Sequence, residues 1–203
     1  EEKAGISVAV YTDKKLWTYA TGEADNNVKM TVDTPLMVNS SSKTFLSALI
    51  LSQIEIGLYE LTDSLGTVLE NHPNLHSFEL DKVNLEVTIK QMLTMSSGMA
   101  DFSYNIEGKS ASYKEPVWSP FDTIKLIQSP YSTPGLFKYN DTNVVLLGII
   151  AEFYAEESLA DRYRAAFLTP LNMTAVTLPE EGITWHTQLF DDQAEHFTVP
   201  RMA

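Results

Sequence analysis

The chain has no cysteine. That excludes disulfides, thiolate nucleophiles and cysteine-ligated zinc, and leaves the compartment open, since many exported proteins carry no disulfide. No run reaches the ~18 apolar residues of a membrane-spanning helix. The longest, from Phe45 to Ile56, is interrupted by Ser47, Ser52, Gln53 and Glu55. Positive charge is scarce: 14 Lys and Arg stand against 27 Asp and Glu, a net charge of −13. An acidic surface argues against a nucleic acid or an anionic membrane as partner, because both attract positive protein. Histidine is limited to His72, His76, His186 and His196. His72 and His76 have i, i+4 spacing, but Pro73 between them breaks the helix that would set them on one face, so no metal site and no cofactor is expected. No signal peptide is visible. The opening Glu1-Glu2-Lys3, without an initiator methionine, reads as a trimmed mature form or a partial chain.

What is present is a chain of 203 residues with 44% apolar content, enough to build one large domain or two small lobes. Ile6 to Tyr11 and Leu16 to Gly22 are short β-rich runs flanking Asp13-Lys14-Lys15, the pattern of a hairpin. Gly22 to Lys29 is polar and reads as loop. An apolar helix begins just after Asn39-Ser40-Ser41-Ser42-Lys43-Thr44 and runs to a stop at Gly57. It is apolar around most of its circumference, as a helix buried between two layers would be. Val87 to Leu93 reads as a short helix with capping-box spacing between Thr88 and Gln91, ending at Ser96-Ser97-Gly98. Residues 99 to 118 read as a long loop. Ser119-Pro120-Phe121-Asp122 is a helix start, with Ser119 as cap and Pro120 in the first turn. That helix is expected to end near Gln128. A further apolar helix follows Tyr139-Asn140-Asp141-Thr142-Asn143 and reaches Phe153, and Ser158 to Leu168 reads as one more. No internal repeat is present.

Ser40 and Lys43 lie three residues apart at the start of a helix, a spacing that puts both on one face ~5–6 Å apart. A lysine amine there can reach a serine hydroxyl, the Ser-x-x-Lys arrangement of one class of serine hydrolases. Two readings of each residue stand side by side. Ser40, or Asn39, can be the helix cap. Lys43 can be an ordinary first-turn lysine, or an amine whose pKa is depressed by the helix dipole and by burial, ready to take a proton. Tyr139 and Asp141 flank the start of the later apolar helix and, in a two-residue alternation, point the same way. They can equally be structural, with Asp141 or Thr142 as cap and Tyr139 packed on the core.

Taken in order, these segments resemble one family. Ser40-Ser41-Ser42-Lys43 with Thr44-Phe45 matches its nucleophile motif. Val87 to Gly98 matches its helix ending in a Ser-Gly turn. Tyr139-Asn140-Asp141, followed by Thr142 to Gly148, matches its Tyr-x-Asn motif. Thr169-Pro170-Leu171-Asn172-Met173-Thr174 matches its Pro-Leu-Gly-Met-Thr segment, with Asn172 in place of glycine. The chain resembles the serine β-lactamase-related family of class C β-lactamases, D-alanyl-D-alanine carboxypeptidases and esterases, over roughly Gly5 to Thr174. The resemblance implies an α+β fold of the β-lactamase/DD-peptidase type, a helical lobe on a partly represented antiparallel sheet lobe. It implies a division into 1–57 (hairpin and nucleophile helix), 58–168 (mostly helical) and 169–203 (the start of a return to the sheet lobe).

It further implies Ser40 as nucleophile, Lys43 as its base partner and Tyr139 as proton relay, with Asp141 supporting substrate where many members carry Asn. An ionised Asp only accepts hydrogen bonds, so any amide donor of that Asn is lost. The implied activity is that of a penicillin-binding or carboxypeptidase-like acyl hydrolase. A β-lactamase, a small-ester esterase and a non-catalytic member with a binding role are the alternatives. The implied substrate is a small molecule or a peptidoglycan peptide, in the periplasm or outside the cell. The family's third motif, Lys-Thr-Gly or His-x-Gly, is not found: neither His186 nor His196 is followed by a suitable glycine. The expectation is therefore that residues 1–203 alone are inactive, or are completed by a second chain or by a missing C-terminal part of the sheet.

Overall fold

β-Branched and aromatic residues favour a pleated surface, and the first of them pair as the sequence leads one to expect. The computed structural model describes residues 5–25, 27–34, 36, 38–105, 107, 119–176 and 178. Strand β1 (Gly5–Thr12) pairs antiparallel with β2 (Lys15–Asp25), with Val8 opposite Tyr19, Val10 opposite Trp17 and Tyr11 opposite Leu16. The two turn residues, Asp13 and Lys14, both have positive φ (47° and 62°). That backbone matches the right-handed twist of the strands it joins. Parts of the expected loop over 22–29 are instead strand. β2 runs on to Asp25, and a two-residue β3 (Val28–Lys29) folds back on it through a bulge. So short a strand has no periodicity to betray it.

Directly opposite residues share a face of an antiparallel pair, so Ile6, Val8, Val10, Trp17 and Tyr19 line one side of the hairpin. They are 39–58% exposed.

A second compact unit contains Asn39–Met173. Its centre is helix α5 (Asp141–Ala155), buried around almost its whole circumference from Thr142 to Ala151. Around it pack α1 (Ser42–Glu55), α3 (Ile89–Leu93), α4 (Pro120–Ile124) and α6 (Leu159–Tyr163), while the short α2 (Leu65–Val68) adds Leu65 and Val68 to the core. Leu49, Ile50, Leu65, Ile89, Met92, Leu146 and Ile150 are fully buried, each stabilising by about 1.5–3 kcal/mol. The one polar residue on the buried face of α1 is satisfied. Gln53 donates to the Ala151 carbonyl (3.0 Å) and accepts from the Tyr59 hydroxyl (2.7 Å), which ties α1 to α5. The all-round burial expected for α1 is found in α5. α1 buries one stripe, Leu46, Leu49, Ile50 and Gln53, and leaves Leu51 48% exposed.

Local chemistry sets the helix ends. Thr88 and Gln91 form the expected capping box, and Ser119 with Asp122 forms a second, with Pro120 at the first helical position. α4 is shorter than expected, stopping at Ile124, with single turns carrying the chain to Ile127. The helix expected over 158–168 is α6 followed by a π turn, Arg164–Leu168. Phe167 on that turn and Tyr163 on α6 meet Phe45 of α1 edge-on, with centroids 5.5 and 6.4 Å apart. They anchor the beginning of α1. Asn172 has φ 51°, the left-handed conformation that glycine takes freely and asparagine tolerates.

Gly98 ends the turn after α3 with φ 74°, and a Cβ there would run into the main-chain carbonyl of Ser132. The same two residues are joined by the Ser132 N–H to Gly98 carbonyl bond at 2.8 Å. Gly98→Ala is expected to lower stability by at least about 2 kcal/mol, from left-handed strain plus the collision. An unchanged denaturant midpoint would contradict this.

Candidate active site

Ser40 sits in a single 3-10 turn (Asn39–Ser41) that leads directly into α1. Asn39 before it has φ 48°, a conformation asparagine supports better than most residues. Neither Ser40 nor Asn39 caps the helix. The N-cap position is Ser41, and no side chain bonds the first-turn N–H groups. The neighbouring hydroxyls turn back to the main chain, Ser42 to the Asn39 carbonyl (2.7 Å) and Thr44 to the Ser41 carbonyl (2.6 Å). Ser40 is different. Its exposed oxygen faces two side chains, accepting from Lys43 Nζ at 3.1 Å and from the Tyr139 hydroxyl at 2.9 Å.

Tyr139 arrives from 99 residues away in sequence. The strap that carries it is held at two points against the turn after α3. Gly135 N–H donates to the Ser96 carbonyl (2.9 Å) and Lys138 N–H to the Met95 carbonyl (2.7 Å). Tyr139 is not packed on the core, being 47% exposed. The next residue, Asn140, is the true cap of α5, accepting from the Asn143 N–H (3.3 Å), so neither Asp141 nor Thr142 has that role. Asp141 is the first helical residue.

Its carboxylate meets Lys43 Nζ at 2.9 Å, with only 14% of the lysine and 13% of the aspartate side chain accessible. The ammonium also lies 5.0 Å from the Tyr139 ring centroid. Burial pulls the Lys43 pKa down, but the Tyr139 hydroxyl and the Asp141 carboxylate outweigh it and leave the pKa above its ordinary 10.5. The depressed lysine pKa expected from dipole and burial is therefore corrected. A carboxylate at hydrogen-bond distance favours the charged form more than the partly buried setting opposes it.

Ser40, Lys43, Tyr139 and Asp141, singled out from spacing, thus come together. Residues that the sequence did not single out lie behind them: Asn140 caps α5, the Ser97 hydroxyl donates to Asn143 Oδ1 (2.6 Å) one turn into that helix, and Asp101 is buried. The signal for Asp101 was an acid three residues after the Ser-Gly turn, in a stretch read only as loop. Among the described residues no group of three His, Asp or Glu is placed to hold a metal ion, and no helix is long and apolar enough to cross a membrane. His186 and His196 lie outside the described residues.

A serine oxygen that accepts from both an ammonium and a phenol sits where negative charge developing on it would be stabilised. Replacing Asp141 with Asn keeps an oxygen for the lysine and removes the charge. The attraction of the carboxylate charge, one of the causes that raise the Lys43 pKa, vanishes with it. A group whose folded pKa is raised contributes its stability fully below the unfolded value and loses it as pH climbs through the folded value. For Lys43 that loss begins above about pH 10.5. Asp141→Asn is expected to cost about 1–3 kcal/mol near neutrality and to flatten the alkaline fall in thermal stability. A melt-versus-pH series with the same alkaline limb in both proteins would refute the pairing.

Comparison with known proteins places the chain. The model of the family described as Beta-lactamase matches residues 1–201. Over 189 residues the chain is 24% identical to "Penicillin-binding protein 4" of Amycolatopsis lactamdurans, covering 91% of this chain and 48% of that one. Over 174 residues it is 25% identical to "Protein flp" of Staphylococcus aureus (strain COL), covering 84% and 34%. Among solved structures it superposes on a D-stereospecific amidohydrolase from Streptomyces sp. with TM-score 0.73 and 21% identity, over 88% of this chain and 55% of that chain. It superposes on the octameric penicillin-binding protein homologue from Pyrococcus abyssi with TM-score 0.68 and 24% identity, over 87% and 41%. The fold is accordingly the α+β fold of the β-lactamase/DD-peptidase type, with a helical unit and a partial antiparallel sheet. The chain spans about half or less of the length of these curated relatives.

Proposed function

The chain belongs to the beta-lactamase family, and from that premise we propose that it is a serine acyl hydrolase of the penicillin-binding, carboxypeptidase-like type, working through an acyl-enzyme on Ser40. The observation that carries the reading is the position of Ser40 Oγ between Lys43 Nζ (3.1 Å) and the Tyr139 hydroxyl (2.9 Å). Ser40 attacks the carbonyl. Its proton passes to the Tyr139 oxygen as the Tyr139 proton passes to the leaving group, so tyrosine ends as it began. Deacylation runs the same relay backwards, from water through Tyr139 to Ser40. The Lys43 ammonium stays charged and stabilises negative charge as it develops on either oxygen. Asp141 keeps it in place. The Ser40 main-chain N–H supplies one oxyanion donor, and a second comes from outside the described residues.

The substrate class is an amide, lactam or ester with a small acyl group. Structural neighbours titled D-stereospecific amidohydrolase and D-amino acid amidase favour a D-configured amide or peptide. The exposed apolar face of the hairpin supports a companion proposal. Further sheet or helix, from the rest of a longer chain or from a second chain, covers Val8, Val10, Trp17 and Tyr19. A non-catalytic binding role is the second reading, favoured by that same open face.

Intact mass with and without a fluorophosphonate, then with fluorescent penicillin, tests the proposal. One adduct mapped to Ser40 supports it. A chain, complete or completed, that stays unlabelled by both would refute it.

A further inference from the structure

The main-chain segment 99–102 is stitched to the start of α5. Asn140 Nδ2 donates to the Met99 carbonyl. The Thr142 hydroxyl donates to the Ala100 carbonyl (2.8 Å) and accepts from the Phe102 N–H (3.0 Å). In three of these bonds the other partner is neutral main chain. The fourth is of another kind. The carboxylate of Asp101, only 8% exposed, accepts from the main-chain N–H of Asp141 with Oδ2 (3.2 Å) and from the N–H of Ser103 with Oδ1 (2.8 Å). Both oxygens are committed to main-chain donors. A buried carboxylate is costly unless its oxygens are so committed. The seam already has uncharged bonds on either side, so a second acid placed here has a more specific role than closing the seam.

The geometry points to Asp101 as a positioning residue for the proposed reaction, one that fixes the first residue of α5 through its N–H so that the Asp141 carboxylate stays aimed at Lys43. This rests on the reading of Ser40, Lys43 and Tyr139 as the reacting groups. The chain of dependence is short: Asp101 holds the Asp141 main chain, the Asp141 side chain holds Lys43 at 2.9 Å, and Lys43 holds Ser40 at 3.1 Å. The negative end at Asp101 also meets the positive N-terminus of α5, which strengthens its hold. The groups facing Lys43 are Ser40, Tyr139 and Asp141, so Asp101 acts through Asp141.

Asp101→Asn is the discriminating change, because it conserves shape and turns one of two acceptors into a donor. Its NH2 then faces either the Asp141 or the Ser103 N–H. Ser97→Ala is the control. It removes two buried bonds beside the seam, one to Asn143 Oδ1 (2.6 Å) and one from the Met99 N–H (3.2 Å), neither of which touches Asp141. Two readouts are needed: the second-order rate of Ser40 labelling by a fluorophosphonate, and the Lys43 titration followed by NMR of 13Cε-lysine. The expected result for Asp101→Asn is labelling about 10–100-fold slower, as a displacement of order 1 Å produces, with a Lys43 titration moved to lower pH. Ser97→Ala should leave the titration where it is. An unmoved titration in Asp101→Asn, or an equal movement in Ser97→Ala, would overturn the proposal. If the Asn variant does not fold, amide exchange in the unaltered chain decides instead: a slowly exchanging Asp141 N–H supports the proposal, and one as fast as an exposed amide overturns it. Failure of the unaltered chain, complete or completed, to label refutes the acyl-enzyme reading and leaves the lysine titration to test Asp101 separately.

Discussion

Replacing Ser40 with alanine is expected to abolish covalent labelling and to lower hydrolysis of any acyl substrate by about 10⁴–10⁶-fold, the loss seen when a nucleophile acting in a unit is removed. Stability should barely change, since Ser40 is exposed and makes no main-chain cap. The Ser40 oxygen is one of the few hydroxyls of the turn not spent on a neighbouring carbonyl. Ser42 and Thr44 point inward to the Asn39 and Ser41 carbonyls, and their alanine variants should therefore retain labelling. The result that would sink this picture is an adduct of equal yield in Ser40→Ala, or one mapped to Ser41 or Ser42.

The Lys43→Met variant is expected to separate chemistry from packing. Methionine keeps most of the apolar stem and deletes the ammonium. Two losses follow at once. Ser40 and Tyr139 lose the cation that stabilises charge between them, which should slow labelling by about 10²–10³-fold. Asp141 becomes a carboxylate without its partner, at a cost of about 3 kcal/mol. That is the lower end for breaking a buried pair, since 13% of the Asp141 side chain still reaches solvent. The double variant Lys43→Met, Asp141→Asn should recover most of the stability and none of the rate. If the double variant is as unstable as Lys43→Met, the ion pair is not what holds this corner. If either variant labels at the unaltered rate, Lys43 has no part in the chemistry.

Much of the helical unit could be read residue by residue. Thr88 with Gln91 and Ser119-Pro120 with Asp122 are local devices: a side chain satisfies an orphan N–H within its own turn, and no distant partner is needed. The hairpin turn at Asp13-Lys14 was legible for the same reason. What was misread depended on contacts. β3 is two residues long and exists because β2 is beside it. The break of α4 at Ile124 and the π turn after Tyr163 carry no local sequence signal. The choice of α5 rather than α1 as the helix buried on all sides could not come from composition, because both are apolar around most of their circumference.

The same division runs through the site. Spacing alone joined Ser40 to Lys43, since three residues within one helical turn fix two side chains on a common face whatever the rest of the chain does. Order along the chain, with Tyr139-Asn140-Asp141 leading into an apolar helix, made the family resemblance. Only the tertiary structure could bring Tyr139 to 2.9 Å from Ser40, move the cap from Asp141 to Asn140, and set Asp141 against Lys43. Only that last contact decided the charge on the lysine. Sequence could count a helix dipole and burial, both of which favour the neutral amine. It could not weigh them against a carboxylate whose distance is set by the packing of one helix on another, and electrostatic energy depends on that distance.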